Sequence, residues 1–330
     1  MTEARKILLQ ADDVSKWFPI KGWPFGPKRY VQAVNHVSFH LYEGETLGLV
    51  GESGCGKTTL ARTVLSLIEP TQGSLQFDGV DLMAQNKRQL RAMRKDMQIV
   101  FQDPYSSIDP RFSVKRIIGE PLRAYKVFSS RKEQENYIRE LVEKVGIHQE
   151  DLDRYPHQFS GGQRQRIGIA RALALKPQLI VCDEPVSALD VSIQAQTLNL
   201  LHDLQEEFKL TYLFISHDLA VVRYISDRVC VMFLGKICEI GNTEDIFKNP
   251  KHPYTYFLLS STPKPDPTKR KEDREILSGE APSPVNPPSG CRFHTRCPYA
   301  KEICSREEPE PRMIEGRLVA CHFPMNEAEA

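Results

Sequence analysis

Residues 51–59, Gly-Glu-Ser-Gly-Cys-Gly-Lys-Thr-Thr, have the types and spacing of a phosphate-binding loop (P-loop). They match G-x-x-x-x-G-K-[ST], in which the glycines let successive backbone N–H groups turn toward phosphate oxygens. Lys57 would reach the β- and γ-phosphates of a nucleotide, and the Thr58 hydroxyl would ligate Mg²⁺. The predicted nucleotide-binding residues here are Gly51, Glu52, Ser53, Gly54, Cys55, Gly56, Lys57, Thr58 and Thr59.

Two adjacent carboxylates, Asp183 and Glu184, follow the apolar run of residues 179–182. A buried strand that ends in acidic residues delivers them to the carboxyl edge of its sheet, where open α/β sheets bind ligands. Asp183 would hold Mg²⁺ through water, and Glu184 would polarise the water that attacks the nucleotide.

Two further predicted strands end in polar residues: Gln102 follows residues 97–101, and Ser216-His217-Asp218 follows residues 212–215. A single Gln or His after a strand is more often structural, but the carboxyl ends of parallel strands share one edge. We therefore expect Gly51, Gln102, Asp183 and His217 to converge.

Residues 159–163, Phe-Ser-Gly-Gly-Gln, precede an apolar pattern that indicates a helix. Ser160 is a plausible N-cap, and the two glycines after it would let a phosphate approach the bare backbone. Taken alone, this is an ordinary helix start.

The surrounding pattern indicates the elements that position these residues. Alternating residues 7–14 and 31–42 predict antiparallel strands, with a loop from residue 19 to 29 between them. Residues 46–50 predict a buried strand and residues 60–68 a helix. Residues 71–74 predict a turn before a strand at 75–77. Helical periodicity extends from about residue 113 to 176, and residues 229–240 read as a hairpin.

Composition excludes several classes of protein. The 330 residues carry 44 Lys and Arg against 43 Asp and Glu, so the net charge of +1 does not favour a nucleic-acid or anionic-membrane partner. The N-terminus lacks a signal-peptide core, and no apolar stretch approaches the ~18 residues that would span a bilayer. We therefore expect a reducing compartment, in which eight cysteines serve as thiols or metal ligands.

These motifs together resemble the ATP-binding cassette (ABC) family. Its members combine a P-loop, a glutamine loop (Gln102), a Ser-Gly-Gly-Gln signature (160–163), Asp-Glu (183–184), a Ser-Ala-Leu-Asp loop (187–190) and a switch histidine (His217) in this order. The only departure is Phe159, where Leu is usual.

The resemblance implies an α/β fold of the P-loop NTPase type. A nucleotide-binding domain of residues 1–260 would contain a mixed sheet core, an antiparallel β subdomain and a helical subdomain at about residues 103–176. A small Cys-rich domain would occupy residues 261–330 after a charged linker, because eleven of the 23 prolines and four of the eight cysteines lie after residue 260.

The same resemblance implies a head-to-tail dimer that shares its ATP sites. The signature of one protomer (Ser160, Gly161, Gly162 and Gln163) would close over ATP bound to the P-loop of the other. His217 would contact the γ-phosphate and act with Glu184 in catalysis. Gln102 would contribute to catalysis and Mg²⁺ binding and link ATP to a membrane partner, and Asp190 would join the two sites. Phe18 is the candidate for stacking on adenine, with Tyr30 as an alternative.

A narrower resemblance covers residues 8–323. Residues 249–255 (Asn-Pro-Lys-His-Pro-Tyr-Thr), residues 277–284 and the Cys-rich tail look like the F-type ATPases of bacterial oligopeptide and dipeptide importers. This implies two transmembrane permease subunits, a D-type sister ATPase, an extracytoplasmic solute-binding protein acting indirectly, no nucleic acid, and a peripheral place on the cytoplasmic face of the inner membrane. Related importers for nickel, glutathione or other small solutes are an alternative.

Four cysteines crowd the tail: Cys291, Cys297, Cys304 and Cys321, spaced C-x₅-C-x₆-C-x₁₆-C. The spacing indicates a metal of undetermined kind, with His294 and His322 as further candidate ligands, because the C-x₂₋₄-C knuckle of zinc sites is missing. Related importer ATPases bind a [4Fe–4S] cluster at such a tail, so the resemblance implies that cluster, with zinc as the alternative.

Three other classes of P-loop protein are alternatives to a transport ATPase. ABC ATPases of DNA repair place a long coiled coil between P-loop and signature, but only about 100 residues separate Lys57 from Ser160. Translation members carry two cassettes per chain, and a P-loop kinase predicts neither the signature helix nor His217. A transport ATPase fits the sequence best.

Overall fold

The computed structural model describes residues 5–20, 28–261 and 282–325. Contacts between these residues define two compact units. The helical unit contains the described part of Met1–Lys6, together with Tyr42–Glu45 and Ala84–Ser216. The P-loop unit contains the described parts of Ile7–Leu41, Thr46–Met83 and His217–Ala330.

The strands of the described residues are, in chain order, β1 (Ile7–Ile20), β2 (Arg29–Tyr42), β3 (Thr46–Val50), β4 (Gln72–Phe77), β5 (Val80–Asp81), β6 (Met97–Val100), β7 (Leu179–Asp183), β8 (Thr211–Ile215), β9 (Arg228–Phe233), β10 (Lys236–Asn242), β11 (Arg312–Ile314) and β12 (Arg317–Val319). The helices are α1 (Lys57–Val64), α2 (Lys87–Met93), α3 (Pro104–Ser107), α4 (Val114–Ala124), α5 (Arg131–Lys144), α6 (Gly161–Leu173), α7 (Val191–Phe208), α8 (Leu219–Ile225), α9 (Thr243–Lys248), α10 (Pro253–Ser260) and α11 (Glu302–Arg306).

The helical unit contains the parallel strands β6, β7 and β8, with β7 between its neighbours. Every residue of β7 and β8 is buried, as continuous apolar runs predict for strands covered on both faces. Helices α4, α5 and α6 pack against one another through apolar faces, including Ile117, Ile138 and Ile167. The predicted helical stretch of residues 113–176 is confirmed, with two short 3₁₀ turns between α5 and α6.

The P-loop unit contains an antiparallel layer in the order β2-β1-β4-β5 and a second layer in the order β11-β12-β10-β9-β3. β3 and β9 run parallel, whereas β9 pairs antiparallel with β10, so the second layer is mixed. The predicted hairpin is therefore confirmed. The C-terminal strand β12 also pairs antiparallel with β10, and it continues the layer that contains β3.

Three predicted boundaries were wrong. β1 continues to Ile20, beyond the alternating residues; it lies hydrogen-bonded between β2 and β4, and its pairing with β4 reaches Ser15. β4 begins at Gln72 inside the predicted turn, since Gln72 and Ser74 pair with β1. α1 ends at Val64, and its C-cap residue Leu65 is followed by Ser66 with a positive φ of 50°. Most of the loop predicted at residues 19–29, and the predicted linker, lie outside the described residues.

No helix of the described residues is long and apolar enough to cross a membrane.

Candidate functional site

The P-loop takes a backbone path that two glycines make possible. Gly51 has φ 152° and Gly56 has φ 109°, and a Cβ at either position would lie 2.0 Å from a backbone oxygen, that of Met232 or Ala33 respectively. Because neither carbonyl can move freely within its strand, a larger residue would displace the loop. The loop is therefore packed against β2 and β9, and α1 begins directly after Gly56 at Lys57.

Lys57 is buried, and its ammonium group is turned back onto the loop. Lys57 Nζ donates to the backbone oxygens of Gly51 at 2.8 Å and Glu52 at 3.0 Å. Ser53 and Gly54 are exposed, and the side chains of Thr58 and Thr59 are half-buried. The P-loop unit thus holds a lysine, a hydroxyl pair and a helix N-terminus along one short segment, which is the donor set that a polyphosphate requires.

The structure brings Gln102 and Glu184 together in the helical unit. Gln102 Nε2 donates to Glu184 Oε2 at 2.8 Å, because the parallel strands β6 and β7 end at the same edge. Asp183, the last residue of β7, is 3% exposed, whereas Glu184 is half-buried and Gln102 exposed. The prediction that the polar residues following β6 and β7 lie close together is therefore confirmed.

Glu184 has φ 48°, in the left-handed region that non-glycine residues seldom adopt. Its backbone N–H donates to the Ile215 oxygen at 3.0 Å, and its backbone oxygen accepts from the Ser187 hydroxyl at 3.1 Å. These two bonds hold the unusual conformation, so the carboxylate direction is set by neighbouring elements and not by rotamer choice alone.

The signature residues form the N-terminus of α6. Ser160 accepts from the N–H of Gln163 at 3.3 Å, and the Gln163 side chain accepts from the Ser160 N–H at 3.0 Å, so the predicted N-cap is a full capping box. Phe159 is 5% exposed beneath the Arg154 guanidinium, 4.9 Å from its ring centre. Gly161 is half-buried and Gly162 buried, where a Cβ would lie 2.4 Å from the Ile193 side chain.

The remaining candidates lie beside or within four different elements. Asp190 is exposed at the N-cap of α7, and His217 is exposed after β8. Phe18 lies in β1, half-buried, with Lys16 Nζ 5.3 Å from its ring centre, and Tyr30 is 36% exposed in β2. The roles given to these residues stay predictions.

The four tail cysteines line one cavity of the P-loop unit, together with His252, His294 and His322. Burial raises the pKa of the Cys291 thiol, that of Cys297 to about 11 and that of Cys321 to about 12. The donor set suits a metal, but within residues 5–20, 28–261 and 282–325 no three His, Cys, Asp or Glu side chains are arranged as its ligands. The expected metal site is therefore not found as an arranged ligand set.

Two residues that contact the P-loop were not predicted. The Glu52 N–H donates to the Tyr254 hydroxyl at 2.9 Å, and Arg296 Nη1 lies 2.9 Å from Glu52 Oε2. Tyr254 belongs to the motif at residues 249–255, which the sequence analysis identified without assigning it a role. No sequence pattern pointed to Arg296, because its pairing with Glu52 depends on how the tail folds.

A glycine-built P-loop, and an Asp-Glu pair beside a glutamine at the edge of a buried parallel sheet, define an ABC-type ATPase. Residues 34–187 match the family model described as ABC transporter, and residues 238–304 match "Oligopeptide/dipeptide transporter, C-terminal region". A dimeric structure of the ATP-binding cassette MJ0796 in a post-hydrolysis state, bound to ADP and Pi, is similar at a TM-score of 0.63 and 28% identity, covering 72% of this chain and 99% of that one.

Relatives narrow the class further. The chain is 54% identical to the oligopeptide transport ATP-binding protein AppF of Bacillus subtilis, covering 98% of this chain and 99% of the relative. It is 51% identical to the oligopeptide transport ATP-binding protein OppF of Escherichia coli, covering 96% and 95%. The chain belongs to the oligopeptide/dipeptide group of ABC transporter ATP-binding proteins.

Proposed function

We propose that this chain is the ATP-hydrolysing subunit that powers import of dipeptides and oligopeptides through a membrane ABC transporter. The observation that carries the proposal is the similarity to two oligopeptide transport ATP-binding proteins, which extends over nearly the whole chain. It includes the C-terminal region, where residues 238–304 match the oligopeptide/dipeptide transporter family model.

The chain's own residues would bind and cleave ATP as follows. Lys57 would exchange its bonds to the Gly51 and Glu52 oxygens for bonds to phosphate oxygens, and backbone N–H groups of the P-loop would donate to the phosphates. Thr58, Asp183 and Gln102 would hold Mg²⁺, which supplies charge neutralisation at the β- and γ-phosphates. Glu184 takes the proton of the attacking water, and His217 contacts the γ-phosphate.

We place the reaction in a dimer, where the α6 signature of one protomer covers the ATP of the other. The capped N-terminus of α6, with two glycines and exposed Ser160, supports this role because it presents N–H groups to an anion. Asp190 would lie between the two ATP sites, and Phe18 would stack on adenine.

The similarity to oligopeptide transport ATP-binding proteins also supports the proposed partners. Two permease subunits would form the pathway, a D-type sister ATPase would complete the dimer, and a solute-binding protein would deliver the peptide. The chain would then be peripheral, at the cytoplasmic face of the inner membrane. Residues 1–260 would be the nucleotide-binding domain and residues 261–330 an accessory region.

The test is solute transport by the assembled complex in proteoliposomes, with labelled dipeptide, labelled oligopeptide, nickel and glutathione as separate substrates. ATP-dependent accumulation of the peptides alone supports the proposal. Accumulation of nickel or glutathione without peptide uptake would show that the chain serves a related importer instead. ATP turnover without uptake of any solute would contradict a transport role.

We also propose one [4Fe–4S] cluster on Cys291, Cys297, Cys304 and Cys321. The support is that all four thiols line one cavity, and that a proline-rich segment with little apolar surface gains from a staple. Binding of the cluster would require the four cysteine side chains to move closer together and to release their thiol protons.

Anaerobically purified protein should then be brown and contain about four irons per chain. Cys304→Ser should remove the colour, whereas Cys230→Ser, at a buried cysteine of β9 outside the cavity, should retain it. Stoichiometric zinc without iron, from cells grown with ample iron, would replace the cluster with the zinc alternative, and a metal-free protein would contradict both.

A further inference from the structure

Glu52 of the P-loop is held from two sides by residues near the C-terminus. Its N–H donates to the Tyr254 hydroxyl at 2.9 Å, and its carboxylate accepts from Arg296 Nη1 at 2.9 and 3.1 Å. The Arg296 side chain is 9% exposed and that of Glu52 28% exposed, so this ion pair is shielded from most solvent. Solvent and salt therefore screen the attraction between these two charges less than in the exposed pairs of the same region.

Glu52 in turn contacts the nucleotide-binding lysine. The Glu52 backbone oxygen accepts from Lys57 Nζ at 3.0 Å, next to the bond that Gly51 accepts at 2.8 Å. Three groups of Glu52 are thus engaged at once: the N–H by Tyr254, the carboxylate by Arg296 and the carbonyl by Lys57. A change at Arg296 therefore reaches Lys57 through one intervening residue.

Arg296 itself is held by the turn that carries two of the tail cysteines. The N–H of Arg296 donates to the Phe293 oxygen at 2.9 Å, and that of His294 to the Cys291 oxygen at 3.0 Å. The Phe293 ring lies 5.4 Å from the rings of both Phe233 and Tyr254, so the turn is anchored on the end of β9 and on α10. This packing fixes the backbone position from which the Arg296 side chain extends.

The charge of the pair matters for a polyphosphate. Without Arg296, the Glu52 carboxylate would carry an unpaired negative charge in a loop whose proposed ligand is also an anion, and like charges repel. The pair therefore cancels a charge that would oppose binding, in addition to fixing the loop.

From these contacts we propose that Arg296 and Tyr254 are positioning residues for the P-loop, through which residues 291–297 set the affinity for nucleotide. The inference rests on the proposed nucleotide site and is independent of the solute. It assigns the C-terminal region a role in ATP binding that the P-loop sequence does not reveal.

The test is a double-mutant cycle on the full-length chain, read as the dissociation constant of a fluorescent ATP analogue. Arg296→Gln should weaken binding roughly fivefold to tenfold, because the lost bonds involve charged groups. In a Glu52→Gln background the same change should matter less than about twofold, since no carboxylate remains to be neutralised. Arg296→Lys should recover part of the affinity.

Arg306→Gln is the matched control, because Arg306 is an exposed arginine of the same region and forms its ion pair with Glu302, within α11. It should leave affinity unchanged. Should Arg296→Gln fail to fold, Tyr254→Phe retains the ring and removes only the acceptor of the Glu52 N–H, with an expected loss of about threefold to fivefold.

Equal effects of Arg296→Gln in both backgrounds, or no effect in folded protein, would overturn the inference. The wild-type chain and Lys57→Ala are titrated in parallel. Equal binding by those two would instead contradict the proposed nucleotide site itself.

Discussion

Glu184 combines an unusual backbone conformation with a specific partner. Its φ of 48° is held by bonds to Ile215 and Ser187, and its carboxylate accepts from Gln102 at 2.8 Å. Such strain is kept where surrounding structure over-determines it, and it directs the carboxylate toward the strand edge. Glu184 is therefore the side chain on which hydrolysis is best tested.

Glu184→Gln should retain ATP binding and lose hydrolysis by about 10²–10⁴-fold, because the amide keeps the shape and removes the base. Lys57→Ala should differ by losing nucleotide binding itself. Turnover by the reconstituted complex and titration with fluorescent ATP separate the two effects. Near-normal turnover of Glu184→Gln would rule out its assigned role.

Gln102 is expected to couple ATP to the membrane partner. It bonds Glu184 and directly precedes Asp103, whose side chain caps α3 by accepting from Tyr105 N–H at 2.8 Å. Gln102→Ala should therefore weaken the response of ATPase activity to solute more than it weakens ATP binding. The measurement compares solute-stimulated with basal turnover in proteoliposomes, and a full response in the variant would contradict the coupling role.

Among the elements, β12 shows how the C-terminal region joins the layer of β3. Arg317 of β12 is 3% exposed and lies 3.6 Å from Glu239 of β10, which is fully buried. The Glu239 carboxylate also accepts from the N–H groups of Lys251 and His252 at 3.0 Å. Burial raises the pKa of Glu239, and the guanidinium opposes that shift.

Arg317→Met should lower the free energy of unfolding by about 3 kcal/mol, because it leaves a buried carboxylate without its cation. Adding Glu239→Gln should recover part of this loss, since the amide oxygen still accepts from the backbone. Urea unfolding measures both, and Lys248→Gln, which breaks an exposed pair with Glu244, is the control expected to change little. A loss no larger than that of the control would show that the pair does not anchor β12.

For the complete assembly, we expect this chain beside a non-identical sister ATPase and two permeases. The basis is the proposal that each ATP site is shared between two cassettes, one of them a D-type sister ATPase. Native mass spectrometry of the complex purified through this chain should find one copy each of four different subunits. Two copies of this chain with no sister would refute the heterodimer, while purification without any permease would contradict the transporter itself.

Local patterns were enough to predict the chemistry. The P-loop, Gln102, the Asp183-Glu184 pair and the Ser160 cap each depend on a few consecutive residues, so their types and order could be read directly. The parallel strands β7 and β8 and the hairpin of β9 and β10 were predicted for the same reason, because burial on both faces and a tight turn leave continuous signals.

Contacts between distant segments required the folded chain. Neither composition nor periodicity could place Arg296 on Glu52 or pair β12 with β10, since the partners lie far apart along the chain, by 244 residues for Arg296 and Glu52. The proline and cysteine content of the tail is higher than that of the preceding residues, and this change in composition predicted a separate Cys-rich domain. Tertiary packing instead joins its described residues to the P-loop unit, where backbone pairing and a shielded ion pair outweigh the change in composition.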